Sequence, residues 1–292
     1  MRSILTLIAA DRLDDSTLSK IRETLPQSGD PAWLAPGRAA DIAFSGIADA
    51  EAENRARVIL AAQKIDLVAQ PAEGRRKKLL VADMDSTMVI GETLDELAAF
   101  AGLKDHIAAI TERAMRGEID FKAALRERVG LLAGLDEQAL AETDRHLELM
   151  PGAKTLVATM RAHGAVTVLA SGGFDYFTSR VRERCGFHHD RANHLEIDGG
   201  KLTGQVREPI LDRHAKLAFL QEFATAQGLA EKETMAVGDG ANDLDMIKAA
   251  GLGVAYHAKP VVAAEAKFRV DHGDLTALLY AQGYRREEFA AA

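Results

Sequence analysis

The sequence contains a single cysteine, Cys185, among its 292 residues. One cysteine excludes an intramolecular disulfide and fits a reducing compartment. The sequence also lacks an apolar run of about 20 residues, the length that a membrane-spanning helix needs. We therefore expect no membrane contact, and a cytoplasmic protein by default.

The sequence also has no excess of positive charge. Lysine and arginine number 36 against 44 acidic residues, which gives a formal net charge of -8. The basic block that stands out is Arg75-Arg76-Lys77-Lys78. A short block of this kind is more often a solvated linker than a nucleic-acid patch, so we expect no nucleic-acid partner.

The first ten residues superficially resemble a short signal peptide. Their apolar run is at the shortest end of the range for such a peptide, and the charged segment 11–15 ends it. We interpret residues 4–9 as a β-strand instead.

Residues 1–72 show a self-contained pattern of short strands and helices. Strands are predicted at 4–9, 33–35, 42–44 and 67–69, and helices at about 15–25 and 48–65. The order βαββαβ is the ferredoxin-like arrangement. This unit contains no catalytic constellation, so small-ligand sensing, dimerisation and plain stability stay open as its role. Residues 73–77 are predicted to be a linker.

The rest of the chain predicts an α/β fold. Strands alternate with helices in 78–91 and 151–292, which implies a parallel sheet with right-handed crossovers. Residues 92–150 have no strand signal and predict a helical cap insertion, either a lid over the site or an ordinary helical layer on the sheet. In parallel sheets the ligand site lies beyond the carboxyl ends of the strands.

The predicted strand 79–82 ends in Asp83-Met84-Asp85. Side chains alternate faces along a strand, so the two aspartates point to the same side. Their carboxylates repel each other, and a hard divalent cation such as Mg2+ would relieve the repulsion. Taken alone, such a triplet is more often a solvated turn, so a metal site depends on the other loops.

A second polar loop, Ser171-Gly172-Gly173, follows the predicted strand 166–170. A serine-hydrolase elbow would need a glycine two places before the serine, where the sequence has Leu169. We interpret the loop as an anion clamp. Its hydroxyl and the N–H groups freed by the glycines can approach a phosphate at a helix start.

A third polar loop, at 238–243, reads Gly-Asp-Gly-Ala-Asn-Asp. A dinucleotide fingerprint would need a third glycine where the chain has Asp243. A calcium loop of the EF-hand type would need an oxygen ligand and a glycine where the chain has Ala241 and Leu244. We interpret it as a metal-ligand loop, in which Asp239 reaches the shared cation and Asp243 braces its neighbours.

Lys216 lies near the start of a helix predicted at 213–227. A lysine in a helix is usually a surface residue. A site with so many carboxylates, however, needs a fixed cation if it is to accept a phosphate dianion. Lys216 is the best placed candidate for that cation.

These segments resemble the four motifs of the haloacid dehalogenase (HAD) superfamily and occur in the same order. They are Asp83-Met84-Asp85-Ser86-Thr87, Ser171-Gly172-Gly173-Phe174, Lys216 and Gly238-Asp239-Gly240-Ala241-Asn242-Asp243. Within that superfamily the chain is similar to the phosphoserine phosphatases over roughly 78–284, including the insertion. Residues 1–72 resemble the ACT-type regulatory domain.

The resemblance implies a HAD-like Rossmannoid core and a role for each motif. Asp83 would attack phosphorus and form an aspartyl-phosphate, and Asp85 would act first as general acid and then as general base. Mg2+ would bind the Asp83 carboxylate, the main-chain carbonyl of Asp85 and Asp239. The phosphate oxygens would be held by Ser171, Gly172, Gly173, Lys216 and Asn242.

The implied substrate is O-phospho-L-serine, hydrolysed to L-serine and phosphate in the last step of serine synthesis. Glu92 matches the family's acid that pairs with the substrate ammonium, and Arg128 matches the base that takes its carboxylate. Met115 and Phe121 match the apolar wall. Taken singly, Glu92 and Arg128 would more commonly be helix surface charges.

Two other functions stay open from the sequence. A phosphotransferase would pass the phosphoryl group from Asp83 to an alcohol such as homoserine. A non-catalytic amino-acid sensor would act through residues 1–72. A homodimer is a possible assembly in each case.

Overall fold

Two sheets organise the chain, one antiparallel and one parallel. The computed structural model describes residues 2–116 and 118–291, with the side chain of Met115 left out of the description. A four-stranded antiparallel sheet forms the N-terminal part, and a six-stranded parallel sheet and a two-stranded hairpin follow. Over the described residues, no helix combines the length and the apolar character that crossing a membrane would require.

The N-terminal sheet has two helices in its connections. Its elements are β1 (Ser3–Ala9), α1 (Asp15–Thr24), β2 (Ala32–Ala35), β3 (Ala39–Phe44), α2 (Asp49–Leu60) and β4 (Ile65–Pro71). The strand order is β2-β3-β1-β4 with antiparallel pairing throughout. The predicted βαββαβ order is therefore confirmed.

The second N-terminal helix is shorter than its sequence predicts. The prediction of a helix over 48–65 is wrong at its C-terminal end, because α2 stops at Leu60. Ala61 follows with φ of 48°, outside the helical region. Ile65 then begins β4, whose alternating side chains enter the core beneath the helices. Strand pairing overrides local helix propensity here.

A helical cap separates the first parallel strand from the rest of its sheet. After β5 (Leu79–Ala82) come α3 (Thr93–Ala99), α4 (Lys104–Met115), α5 (Phe121–Gly130) and α6 (Gln138–His146). The cap packs on a hairpin that belongs to the later part of the chain, with the N–H of Gly134 donating to the carbonyl of Leu202 at 2.8 Å. The helical insertion predicted after the Asp-x-Asp loop is confirmed.

The parallel sheet has the strand order β12-β11-β10-β5-β6-β7. Its remaining elements and the hairpin are α7 (Ala153–Ala162), β6 (Val166–Phe174), α8 (Asp175–Cys185), β7 (His189–Asn193), β8 (Leu195–Asp198), β9 (Lys201–Val206), α9 (Arg213–Ala226), β10 (Thr234–Gly238), α10 (Leu244–Ala249), β11 (Leu252–Tyr256), α11 (Pro260–Ala263), β12 (Phe268–Val270) and α12 (Ala277–Ala281). The hairpin β8–β9 turns at Gly199 and Gly200, as the sequence predicts. Since β5 lies in the middle of the sheet, its carboxyl end is flanked by strand ends on both sides.

The strand before the serine loop is longer than predicted. The prediction ends it at residue 170, but β6 continues to Phe174, with a register shift against β7 between Ala170 and Phe174. Ser171, Gly172 and Gly173 therefore lie on an irregular strand end and not in a separate loop. A register shift re-aims side chains at a strand end, which is where a binding site needs them.

The outer face of the N-terminal sheet is buried against the parallel-sheet domain. Along β1, Leu5 and Leu7 pack under α1 and α2, whereas Ile8 on the opposite face belongs to the core that also contains Leu278 and Ala281. Side chains on both faces of the strand are thus buried. The two domains share one packed boundary, which we call the seam.

The basic run before β5 lies in this seam, so the prediction of a solvated linker is wrong for Arg75 and Lys77. Arg75 donates to both oxygens of Asp41, at 2.6 and 3.0 Å, and to Thr6 Oγ1 at 2.8 Å. It also donates to the carbonyl of Ala281 at 3.2 Å. Burial lowers the pKa of Lys77 to about 8, and its ammonium donates to two main-chain carbonyls at 2.8 Å.

The seam ion pair gives a stability prediction. Asp41→Asn keeps the side-chain shape but leaves the Arg75 guanidinium, whose side chain is 11% exposed, without its charged partner. We expect the free energy of unfolding to fall by about 3 kcal/mol, since removing one member of a buried pair leaves an uncompensated charge. Urea titration followed by circular dichroism measures the change.

The control for this prediction is Arg145→Met, which removes an exposed ion pair with Glu142. Exposed pairs contribute about 0–1 kcal/mol, so this variant should unfold close to wild type. Equal stability of the Asp41 variant and the control would contradict the assignment of Arg75 and Asp41 as a structural pair.

Candidate active site

Asp83 lies at the carboxyl end of β5 in the middle of the parallel sheet. Its main-chain N–H donates to the carbonyl of Val237 on the neighbouring strand β10 at 3.0 Å. The residue is 4% exposed, and its Oδ1 accepts from the N–H of Met84 at 2.7 Å. The side chain predicted to be the nucleophile is therefore buried and held by its own backbone.

The ammonium of Lys216 lies between two carboxylates. Its Nζ is 2.7 Å from Oδ1 of Asp83 and 2.7 Å from Oδ1 of Asp243. The N-cap residue Asp212, whose Oδ1 accepts from the N–H of His214 at 2.9 Å, starts α9 so that Lys216 falls in its first turn. Burial alone would lower the pKa of Lys216, but the charges of Asp243 and Asp83 outweigh burial and hold the pKa above its ordinary value. The site therefore contains a permanent, fixed cation.

Three buried carboxylates form a group that could hold a metal ion. Ligand atoms of Asp83, Asp239 and Asp243 all lie within 4.8 Å of one another. Oδ1 of Asp239 is buried and has no hydrogen-bond partner among the described residues. Hard divalent cations prefer carboxylate oxygens, and a buried oxygen without a partner is costly. These residues fit a divalent cation.

Asp243 differs from the other two members because both its oxygens already have partners. Oδ1 accepts from Lys216, and Oδ2 accepts from the N–H of Gly240 at 3.1 Å. A Cβ at Gly238 would lie 2.3 Å from Cγ of Asp243, so only glycine leaves room for this carboxylate. Asp243 is therefore better placed to hold the loop and Lys216 in position than to bind a metal directly.

The crowding of these acids raises their pKa values. Burial, and then the charge of Asp243, raise the pKa of Asp239 to about 7. The same two causes raise the pKa of Asp83 well above its ordinary value, although Lys216 partly opposes them. Without a bound cation, the group therefore tends to take up protons.

Asp85 lies between the catalytic sheet and the cap. Its Oδ1 accepts from the main-chain N–H of Thr93 at the start of α3, at 2.7 Å. Its Oδ2 is 3.4 Å from Oγ of Ser171, and that Oγ accepts from the N–H of Gly173 at 2.8 Å. Burial raises the pKa of Asp85, so this carboxyl can carry a proton into the pocket.

A cavity of about 290 Å³ joins the acidic group to the cap. Its walls contain nine of the residues that the sequence predicted for the site: Asp83, Asp85, Glu92, Phe121, Arg128, Ser171, Gly172, Gly173 and Asn242. Lys216 and Asp239 lie just behind this surface, bound to or grouped with Asp83. The side chain of Met115, predicted to form part of the apolar wall, lies outside the described residues.

The cap side of the cavity contains a buried guanidinium, that of Arg128, which is 6% exposed. It donates to Oγ1 of Thr111 at 2.9 Å and to the carbonyl of Ala124 at 3.2 Å. Burial lowers its pKa. Over the described part of the chain, its hydrogen bonds go to neutral groups, which leaves its charge available to an anion in the cavity.

Glu92 is the acidic counterpart on the same cap. Its Oε1 accepts from Oγ of Ser86 at 2.8 Å. Burial, and then the charge of Asp85, raise the pKa of Glu92 to about 8. A cationic group bound beside it would favour the ionised carboxylate. Phe121 closes the wall over Gly172, where a Cβ would lie 2.9 Å from Cζ of that ring.

Sequence reasoning missed two residues behind Arg128. Thr111 lines the cavity, and its hydroxyl donates a hydrogen bond to Oδ1 of Asp95 at 2.9 Å. Asp95 stands three places after Glu92, a spacing that puts both on one side of a helix start. That spacing was the available signal for Asp95. A threonine within a helix gives no comparable signal for Thr111.

Comparison with known proteins identifies the family. Residues 80–248 match the family model of the haloacid dehalogenase-like hydrolases. A phosphoserine phosphatase from Streptomyces coelicolor is 42% identical over 259 residues, which cover 88% of this chain and 63% of that protein. The chain spans between 53% and 63% of the length of three such curated relatives.

Solved structures extend the match to three dimensions. A HAD family hydrolase from Salmonella enterica serovar Typhi is 30% identical, with a TM-score of 0.86 over 96% of this chain and 98% of that one. The phospho-aspartyl intermediate analogue of a phosphoserine phosphatase is 37% identical, with a TM-score of 0.68 over 70% of this chain and 98% of that one. The chain thus belongs to the haloacid dehalogenase-like hydrolases and, among them, to the phosphoserine phosphatase family.

The raised pKa of Asp239 gives a pH prediction for the metal-free protein. Because the folded-state pKa (about 7) exceeds the ordinary value near 4, this carboxyl lowers folding stability as the pH rises between the two. Asp239→Asn removes that loss. Urea unfolding in excess chelator should show the variant gaining stability relative to wild type between pH 5 and pH 8.

The control is Asp105→Asn, an exposed aspartate in the first turn of α4. Its stability relative to wild type should be the same at both pH values. A constant difference between Asp239→Asn and wild type would show that Asp239 titrates normally in the folded protein.

Proposed function

We propose that this protein hydrolyses O-phospho-L-serine to L-serine and phosphate, with Mg2+ as its metal ion, and completes serine biosynthesis. The observation that supports this most is a single cavity with Asp83 and Asp85 at its base and opposite charges on its cap, with Lys216 bound to Asp83. Phosphoserine carries three groups of matching charge: a phosphate dianion, an ammonium and a carboxylate. Glu92 and Arg128 suit the last two.

The metal ion would be held by the carboxylates of Asp83 and Asp239 and the main-chain carbonyl of Asp85. When bound, Mg2+ would neutralise negative charge at the site and polarise a phosphoryl oxygen. The buried oxygen of Asp239 that has no hydrogen-bond partner supports this ligand set. The preference of Mg2+ for oxygen ligands supports the choice of metal.

Asp83 acts as the nucleophile in the first half-reaction. Its carboxylate oxygen forms a bond to phosphorus while the bond from phosphorus to the serine oxygen breaks. Asp85 donates its proton to that departing oxygen, so L-serine leaves neutral at its hydroxyl. Asp83 is left as an aspartyl-phosphate. The raised pKa of Asp85, caused by burial, supports the acid role because it favours the protonated carboxyl.

Water completes the second half-reaction. Asp85, now ionised, accepts a proton from a water molecule whose oxygen attacks phosphorus. The bond to Asp83 breaks, and inorganic phosphate leaves. In both halves the equatorial oxygens carry the developing charge. Donors to these oxygens would come from Lys216, the Ser171 hydroxyl, the N–H groups of Gly172 and Gly173, and the Asn242 amide.

The activity is tested by phosphate release from O-phosphoserine. We expect turnover with Mg2+ and almost none in excess chelator, with activity returning when Mg2+ is restored. Phosphothreonine and small sugar phosphates serve as comparison substrates. Equal turnover in chelator would reject the metal, and a clear preference for a sugar phosphate would reject the substrate. An added alcohol such as homoserine that captures phosphate would indicate a phosphotransferase.

The catalytic roles are tested by two isosteric substitutions. Asp83→Asn should abolish turnover, since an amide cannot form the aspartyl-phosphate. Asp85→Asn should lower kcat by about 10²- to 10⁴-fold, the usual contribution of a general acid–base group. The exposed Asp105→Asn should keep full activity. Wild-type rates from Asp83→Asn would remove the nucleophile assignment.

A further inference from the structure

Among the described residues, the hydrogen bonds that hold Arg128 in the cavity go to neutral groups. Its Nη1 and Nε are each hydrogen-bonded on the protein side, to Thr111 Oγ1 and to the carbonyl of Ala124. Since a guanidinium has five N–H donors, several remain for a ligand. The orientation of this planar group, however, decides whether a carboxylate can bind it through two parallel bonds.

The hydroxyl of Thr111 is directional. Its oxygen accepts from Arg128, so its single proton must point elsewhere. Two acceptors lie within reach, Oδ1 of Asp95 at 2.9 Å and the carbonyl of Ile107 at 3.1 Å. The carboxylate is the closer and the charged acceptor, which makes it the stronger partner. When the Thr111 hydroxyl donates its hydrogen bond to Asp95, the lone pairs of its oxygen are turned toward Arg128.

The resulting chain of hydrogen bonds crosses three cap helices. Asp95 lies on α3, Thr111 on α4 and Arg128 on α5. Thr111 is 5% exposed, and Asp95 stands behind it, away from the cavity wall. A buried polar network makes the structure around it most rigid when every member has a hydrogen-bond partner.

We propose that Thr111 and Asp95 are positioning residues, which aim the guanidinium of Arg128 at the carboxylate of the substrate. The inference rests on the proposed function and adds to it the groups that set the carboxylate subsite. Asp95 acts on Arg128 through the threonine hydroxyl.

The threonine between the two charges has a specific consequence. A carboxylate in direct contact would occupy the guanidinium fork and compete with the substrate for it. With Thr111 interposed, Asp95 still lowers the cost of burying Arg128 through its charge, while the fork stays open toward the cavity. The subsite is thus charged and oriented, and within residues 2–116 and 118–291 no carboxylate of the protein is hydrogen-bonded to Arg128.

The test compares two substrates that differ by the carboxylate. O-phosphoethanolamine is phosphoserine without that group, so it cannot use Arg128 in this way. Thr111→Val keeps the side-chain volume and removes the hydroxyl. We expect it to raise KM for O-phosphoserine on the order of tenfold, the usual effect of losing a hydrogen bond to a charged group, and to leave KM for O-phosphoethanolamine unchanged.

Three further variants complete the design. Thr111→Ser keeps the hydroxyl and should restore a KM close to wild type. Asp95→Asn keeps an acceptor but removes the charge, and should raise KM selectively for O-phosphoserine even if Thr111→Val folds poorly. Thr143→Val is the matched control, because Thr143 is another buried cap threonine, bonded only to the carbonyl of Ala139 among the described residues. It should change neither KM.

The outcomes separate this inference from the proposed function. If Thr111→Val and Asp95→Asn raise KM for both substrates alike, or for neither, the pair merely stabilises the cap and the inference is overturned. If wild type itself treats the two substrates alike, the assignment of phosphoserine fails, and the inference fails with it. A wild-type preference lost in both variants supports the inference.

Discussion

The contact of the Lys216 ammonium with the carboxylates of Asp83 and Asp243 is the interaction on which the site depends. Buried acids this close together repel one another, and each also loses hydration. One fixed cation at 2.7 Å from both offsets much of that cost. It also ties together β5, α9 and the loop after β10, which are far apart in the sequence. The contacts of Lys216 therefore both balance the charge at the edge of the sheet and hold these three elements together.

Chemistry and selection are divided between two parts of the fold. The parallel sheet supplies the groups proposed to face a phosphate, because neighbouring strands end at one edge. The cap supplies Glu92 and Arg128, which line the same cavity and are proposed to face the remainder of the substrate. The link between the parts is Asp85, whose carboxylate accepts from the N–H of Thr93 where the cap begins. A displacement of α3 would therefore also disturb Asp85, the proposed acid–base group.

The sequence was sufficient wherever a short local pattern carries the chemistry. The ends of three strands and the need for a fixed cation placed Asp83, Asp239 and Lys216 correctly in one group. Features that depend on distant contacts were missed or misjudged. Thr111 gave no signal, since its partners stand 16 and 17 residues away. From the sequence, Arg75 was predicted to be solvated, because its burial arises only when the N-terminal sheet covers it.

The seam has a consequence for any signal that starts in the N-terminal domain. Ile8 and Leu278 share one core, and Arg75 is bound on both sides of the boundary. The N-terminal domain is therefore already packed against the parallel-sheet domain, and no effector is needed to dock it there. A molecule reaching it would have to deform an interface that is already packed, and the deformation would pass into α12 and the end of the parallel sheet. A signal would therefore pass from the N-terminal domain to the parallel-sheet domain by deformation of the core that the two domains share.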